Sequence, residues 1–170
     1  MKIAIGYWGL IRGFKYDFVY ESHIKNLIQP LRNNGHDVDI FVETYDKDFD
    51  DRIYDLNPHS INISKDKEYE AMLSEKIGGY TMPITVSSPD ADETKMNLFK
   101  SLISQKKVQE KIDHTYDMCY ILDVGQEVLT EIDDPTIMDS GKIYIANQHH
   151  CDGYMGRLVG GCVDSIKKRA

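Results

Sequence analysis

Met1-Lys2-Ile3-Ala4-Ile5-Gly6-Tyr7-Trp8-Gly9-Leu10-Ile11-Arg12-Gly13-Phe14-Lys15 opens the chain, and its reading decides the fold. Lys2 to Ile5 is a short apolar run that stops at Gly6, the pattern of a buried first strand. Gly6 to Gly13 then sets three glycines, two large aromatics and one arginine just past the strand's carboxyl end. In open α/β sheets that end is where ligands sit. Glycines let a backbone come close to a ligand, an arginine fork suits a diphosphate, and an aromatic face stacks on a base. The competing reading is a tight strand-to-helix turn with Tyr7 and Trp8 in the core. The spacing is neither G-x-G-x-x-G nor G-x-x-x-x-G-K-[ST], so neither phosphate-binding fingerprint applies.

Working outward, residues 17–34 carry Phe18, Val19, Ile24, Leu27, Ile28 and Leu31 at helical spacing, closed by Asn33-Asn34-Gly35. Pro30 inside this pattern predicts a kink or a tightened last turn. Asp37 to Val42 reads as a second strand, ending at Glu43-Thr44-Tyr45-Asp46. A strand, a helix and a strand make one right-handed parallel unit. The loops at 6–13 and 43–46 then open on the same edge of the sheet.

Beyond it the pattern loosens. Asp46, Asp48, Asp50 and Asp51 read as a solvated acidic loop, Ile61-Asn62-Ile63 as a short strand, Lys67 to Ile77 as a surface helix. Residues 78–89 read as a mobile loop of the kind that covers ligands. Residues 92–115 form a long helix with Met96, Phe99, Leu102, Ile103 and Val108 on its buried stripe; Ser101, Ser104 and Gln105 are a polar set on it. Met118 to Leu122 is a buried strand ending at Asp123, and Lys142 to Ala146 another. After it come Asn147 to Asp152 and a glycine-rich stretch, Gly153 to Gly161, and Lys167 to Ala170 ends abruptly, as a trimmed chain would.

The 170 residues are expected to form a single domain with a real core. Twenty Lys and Arg against 28 Asp and Glu give a net charge of −8, which argues against a nucleic-acid partner. A small anion held by a local arginine or a metal stays compatible with it. No stretch is long and apolar enough to span a membrane and no signal-peptide pattern is present, so a cytoplasmic location is expected. Three cysteines without a C-x-x-C pair fit reduced thiols.

An apolar strand ending in an acid can present a carboxylate to a metal-bound phosphate, and Mg²⁺ and Mn²⁺ favour such oxygen donors. Asp123 is the first candidate ligand and Glu127 the second; the competing role for Asp123 is to cap the following turn. His149 and His150 are adjacent and point to opposite sides of an extended chain.

Three segments carry a family resemblance: KIAIGYWGLIRG at the start, IQPLRNNGHDVDIFVETYD after the first helix, and YDMCYILDVGQEVLTEID near residue 120. Together they resemble small GT-A glycosyltransferases of large DNA viruses that infect algae, and related capsule and surface-glycan transferases. The resemblance implies a GT-A-like, Rossmann-type three-layer α/β sandwich with a mostly parallel central sheet. It implies transfer of a sugar from a nucleotide-diphosphate donor, UDP-linked by preference, to a glycan acceptor, and for a viral enzyme the host cytoplasm. On this reading Gly6, Tyr7, Trp8, Gly9 and Arg12 hold the nucleotide. Thr44, Tyr45 and Asp46 match the family's Thr-aromatic-Asp turn, and Ser104-Gln105 its Ser-Gln pair.

Asp123 and Glu127 would hold Mn²⁺ or Mg²⁺. Asp152 or His150 would act as general base if the enzyme inverts. The chain departs from the family at the metal: relatives often read YDxVIxLRxDxxFxxxID, and an ungapped match puts Asp123 where they have Arg and Gly125 where they have Asp. A D-x-D reading instead keeps Asp123 and loses its second acid to Gly125. A G-x-N-D-R-F segment survives only in part, at Gly156-Arg157-Leu158. A catalytically decayed nucleotide- or sugar-binding protein of the same fold is the alternative. An unrelated doubly wound enzyme such as a methyltransferase is a third reading, weakened by the absent glycine fingerprint.

Overall fold

The computed structural model describes residues 1–47, 49–65, 67, 71, 91–138, 143–145 and 158–161. The first strand, β1 (Lys2–Gly9), runs on past the expected stop at Gly6 to Gly9. A 3-10 turn (Ile11–Lys15) leads into α1 (Asp17–His23), a π-helical segment (Ile24–Ile28) and α2 (Gln29–Asn33). Then come β2 (Asp37–Tyr45), a 3-10 turn (Asp51–Leu56) and β3 (Ser60–Ser64). The long helix α3 (Ala91–Lys111) precedes β4 (Met118–Asp123), with β5 (Ile143–Ile145) and β6 (Leu158–Gly161) closing the series.

Among the described residues six strands form one sheet in the order β3-β2-β1-β4-β6-β5. β3, β2, β1 and β4 are mutually parallel; β6 runs antiparallel to both β4 and β5. The expected mostly parallel α/β sheet is therefore present. β6 is the strand that the sequence pattern missed: Leu158-Val159-Gly160-Gly161 has too little apolar length to stand out from a glycine-rich stretch.

Alternation along the strands divides the core into two layers. Ile3, Ile5, Tyr7, Ile40, Val42, Met118, Tyr120 and Leu122 pack with Val19, Leu27, Ile28 and Leu31 of the first helical run. Ala4, Trp8, Phe41, Cys119 and Ile121 face the other way, against Val108 of α3 and Ile112 just past its end. Gly6 sits on this second face. A Cβ there would come within 2.8 Å of Ile121 Cδ1, 3.1 Å of Val108 and 3.2 Å of Ile112, so the missing side chain is what lets α3 press on the sheet. Gly6 is a packing glycine inside a strand, not part of a ligand loop.

Pro30 widens the helix instead of kinking it. Proline has no N–H for the carbonyl four residues back, and the chain answers with the π segment, in which Gln29 N–H bonds to Ile24. The released carbonyl of Asn26 accepts the Ile132 N–H at 2.8 Å. Gly35, at φ +79°, then ends the run as expected, with His36 N–H reaching back to Leu31. On the far face Glu43 is buried and ion-paired to Lys111 at 2.6 Å, with Asn62 donating to its second oxygen at 2.9 Å. The expected helix at 67–77 and loop at 78–89 lie outside the described residues, apart from Lys67 and Ala71. No helix among the described residues is long and apolar enough to cross a membrane.

Candidate functional site

In a sheet ordered 3-2-1-4 the chain leaves β1 toward β2 on one side and meets β4 on the other, and a crevice opens where the order reverses. A cavity of about 970 Å³ lies at this edge. Gly9, Arg12, Gly13, Lys15, Tyr16 and Phe18 line it from the segment after β1, and Tyr45 and Lys47 from the end of β2. Asp123, Gly125 and Glu127 enter from the end of β4, while α3 contributes Asn97, Leu98 and Ser101.

Backbone approach shapes this edge. Gly9 ends β1 at φ +93°, a conformation that disfavours side chains, and its carbonyl accepts the Thr44 hydroxyl at 2.7 Å. Thr44 is fully buried; it braces β2 to β1 and does not reach the cavity. Gly13 touches the loop after β4: a Cβ there would stand 2.7 Å from Gly125 Cα and 3.0 Å from the Val124 carbonyl. Asp123 is in register with Trp8, and its Oδ1 accepts the Gly125 N–H at 2.9 Å. The carboxylate therefore does cap its own turn, and does so while lining the cavity.

A second set of bonds straps the segment after β4 to the first helix. His23 Nε2 donates to the Gln126 carbonyl, Ser22 Oγ accepts the Val128 N–H at 3.0 Å, and Asn26 Nδ2 donates to the Val128 carbonyl. Since a carbonyl only accepts, His23 carries its proton on Nε2, and Nδ1 takes the Tyr7 hydroxyl at 3.1 Å. Burial holds the imidazole down at about 4, against a partly offsetting bond to Gln126. The same burial pushes the Tyr7 phenol far above its ordinary value.

Of the residues read as nucleotide-binding, Gly9, Arg12 and Tyr45 line the cavity; so do both proposed metal ligands, Asp123 and Glu127. Gly6 and Tyr7 are in the core. Trp8 is 9% exposed in the α3-facing layer, and its Nε1–H has no partner among the described residues. Ser104 is buried, its hydroxyl turned back to the Ser101 carbonyl at 3.0 Å. Neither it nor Gln105 lines the cavity; Ser101, one turn earlier, does. Asp46 is exposed and bonds through its backbone to Ser64. Asp50 caps the 3-10 turn after it and pairs with Arg52. His150 and Asp152 lie outside the described residues.

The sequence reading passed over Lys15, Lys47 and Tyr16, and it set Phe18 among the apolar positions of the first helix, whereas that ring is exposed at the cavity. The signal for Lys15 was its place in the quoted stretch; Lys47, between two aspartates, gave none. The lining thus carries three cations, Arg12, Lys15 and Lys47, beside two carboxylates, in a chain of net charge −8. Lys100 adds to the same end of α3: it is buried, with Nζ 5.9 Å from the Tyr45 ring centroid. Among the described residues no group of three or more His, Cys, Asp or Glu is placed to hold a metal. Two carboxylates still fit Mg²⁺ or Mn²⁺, which take one or two such ligands and complete their shell with substrate phosphates and water. Compared with known proteins, the chain matches no family model and no curated protein.

Proposed function

We propose that the cavity binds the diphosphate of a nucleotide sugar and that the protein is a glycosyltransferase acting on a glycan acceptor. The observation that carries this reading is the local charge. Three cations and two carboxylates meet at the β1/β4 reversal of an otherwise acidic protein, and a divalent cation with a diphosphate is the ligand that both signs serve. Arg12 and Lys15 would pair with phosphate oxygens, and the buried Tyr45 would border the nucleoside. Asp123 and Glu127 would hold Mn²⁺ or Mg²⁺, whose chemistry is to neutralise charge building on the departing diphosphate.

A second reading, nucleotide binding without turnover, is supported by Asp123 itself. Its Oδ1 is committed to the Gly125 N–H, where a second acid would otherwise extend the ligand set. Release of UDP from UDP-glucose and UDP-xylose, with Mn²⁺ and a mixed glycan acceptor, tests both. The transferase reading expects acceptor-dependent release that Asp123→Ala lowers by on the order of a hundredfold. UDP binding with no release from either donor supports the second reading. Absence of both binding and release would remove both.

A further inference from the structure

Large side chains more than half exposed are scattered over the described surface, but Tyr16 and Phe18, 61% and 59% exposed, are in contact with each other. Their ring centroids lie 5.8 Å apart with planes inclined at 36°. Both line the cavity. The backbone beneath them is fixed: Tyr16 N–H bonds to the Gly13 carbonyl at 3.1 Å, and the Tyr16 carbonyl accepts the N–H groups of Val19 and Tyr20 at 3.0 and 3.1 Å. The two rings are an exposed platform on a rigid hinge between the 3-10 turn and α1.

We propose that Tyr16 and Phe18 form a carbohydrate subsite at the mouth of the cavity, holding the pyranose ring of the acceptor. This assignment deepens the transferase reading and rests on it. A pyranose has one face of weakly positive C–H groups and a rim of hydroxyls. The C–H face suits the negative face of an aromatic ring, and the hydroxyls need polar partners. The lining supplies those: the Asn97 amide and the Ser101 hydroxyl share the cavity with the two rings. The 36° inclination makes an open wedge instead of a parallel slot, so a ligand rests on the platform with its outer rim still hydrated. A nucleobase, with two bare faces and edges that must be paired, is better served by an enclosed position.

The test uses the full chain and two binding measurements. Methyl β-D-glucopyranoside, methyl β-D-galactopyranoside and methyl β-D-xylopyranoside are the sugar probes, read by saturation-transfer NMR; UDP with Mn²⁺ is the nucleotide probe, read by calorimetry. Because both side chains are exposed, the double variant Tyr16→Ala, Phe18→Ala should stay folded. At least one glycoside is expected to bind the wild type with saturation concentrated on its ring C–H protons. In the double variant that signal falls about fivefold or more, while UDP affinity stays within about twofold. Tyr16→Phe, which keeps the ring, should retain the signal. No glycoside binding by the wild type, or an equal signal in the double variant, overturns the proposal. So does a double variant that loses UDP affinity, which would make the pair a base-stacking platform. Loss of UDP binding by the wild type itself would instead count against the transferase reading.

Discussion

His23 is wholly enclosed, between the Tyr7 hydroxyl on one ring nitrogen and the Gln126 carbonyl on the other. Its ordinary value is 6.5, and burial lowers it to about 4. Between those values the unfolded chain binds a proton at this position and the folded chain does not. Stability is thus fully present above about 6.5 and falls as pH falls toward 4. At about 1.4 kcal/mol per pH unit, His23 should remove about 2 kcal/mol between pH 6.5 and 5. Urea denaturation at those two pH values, for wild type and His23→Gln, measures the difference; equal pH slopes would contradict it. At the same scale, Tyr7 shows why the site was only half legible. Its place in an I-G-Y-W-G run allowed either a ligand loop or a core position, and strand alternation was the deciding signal. Extending β1 to Gly9 puts Tyr7 with Ile3 and Ile5, and puts Gly6 and Trp8 on the side of Ala4.

The first helical run, from Asp17 to Asn33, and the segment after β4 work as one element. Pro30 frees the Asn26 carbonyl, and that carbonyl, the Asn26 amide, the Ser22 hydroxyl and His23 each take a backbone group between Gln126 and Ile132. The register of the cavity's Glu127 is set by these bonds. Asn26→Ala leaves the Val128 carbonyl without its donor and should cost about 1–2 kcal/mol, with faster amide exchange at Val128 and Ile132. An unchanged exchange pattern would mean that the segment is held by packing alone. None of this was visible in sequence. Helical spacing, the Gly35 stop and the parallel β1–β2 unit all follow from local pattern. A π turn and its cross-links depend on residues about a hundred positions apart. The Glu43–Lys111 pair is hidden in the same way: Glu43 stood at the end of the second strand with no partner in view, and it is buried and paired with a lysine 68 positions on.

Across the whole molecule, charge and topology converge on one edge. The order β3-β2-β1-β4 opens a crevice at the carboxyl ends of the parallel strands, and the acidic chain concentrates Arg12, Lys15 and Lys47 there. The parallel core could be anticipated because its strands are continuous apolar runs. The convergence of cations could not, since they come from separate loops and follow no spacing rule. The central claim is that this edge binds a nucleoside diphosphate. Calorimetric titration of UDP into the wild type and into Arg12→Ala, Lys15→Ala with Mn²⁺ present tests it most directly. The account predicts one-site binding by the wild type, weakened about tenfold or more when the two charge-assisted contacts are removed. No binding by the wild type, or equal binding by the variant, would contradict it.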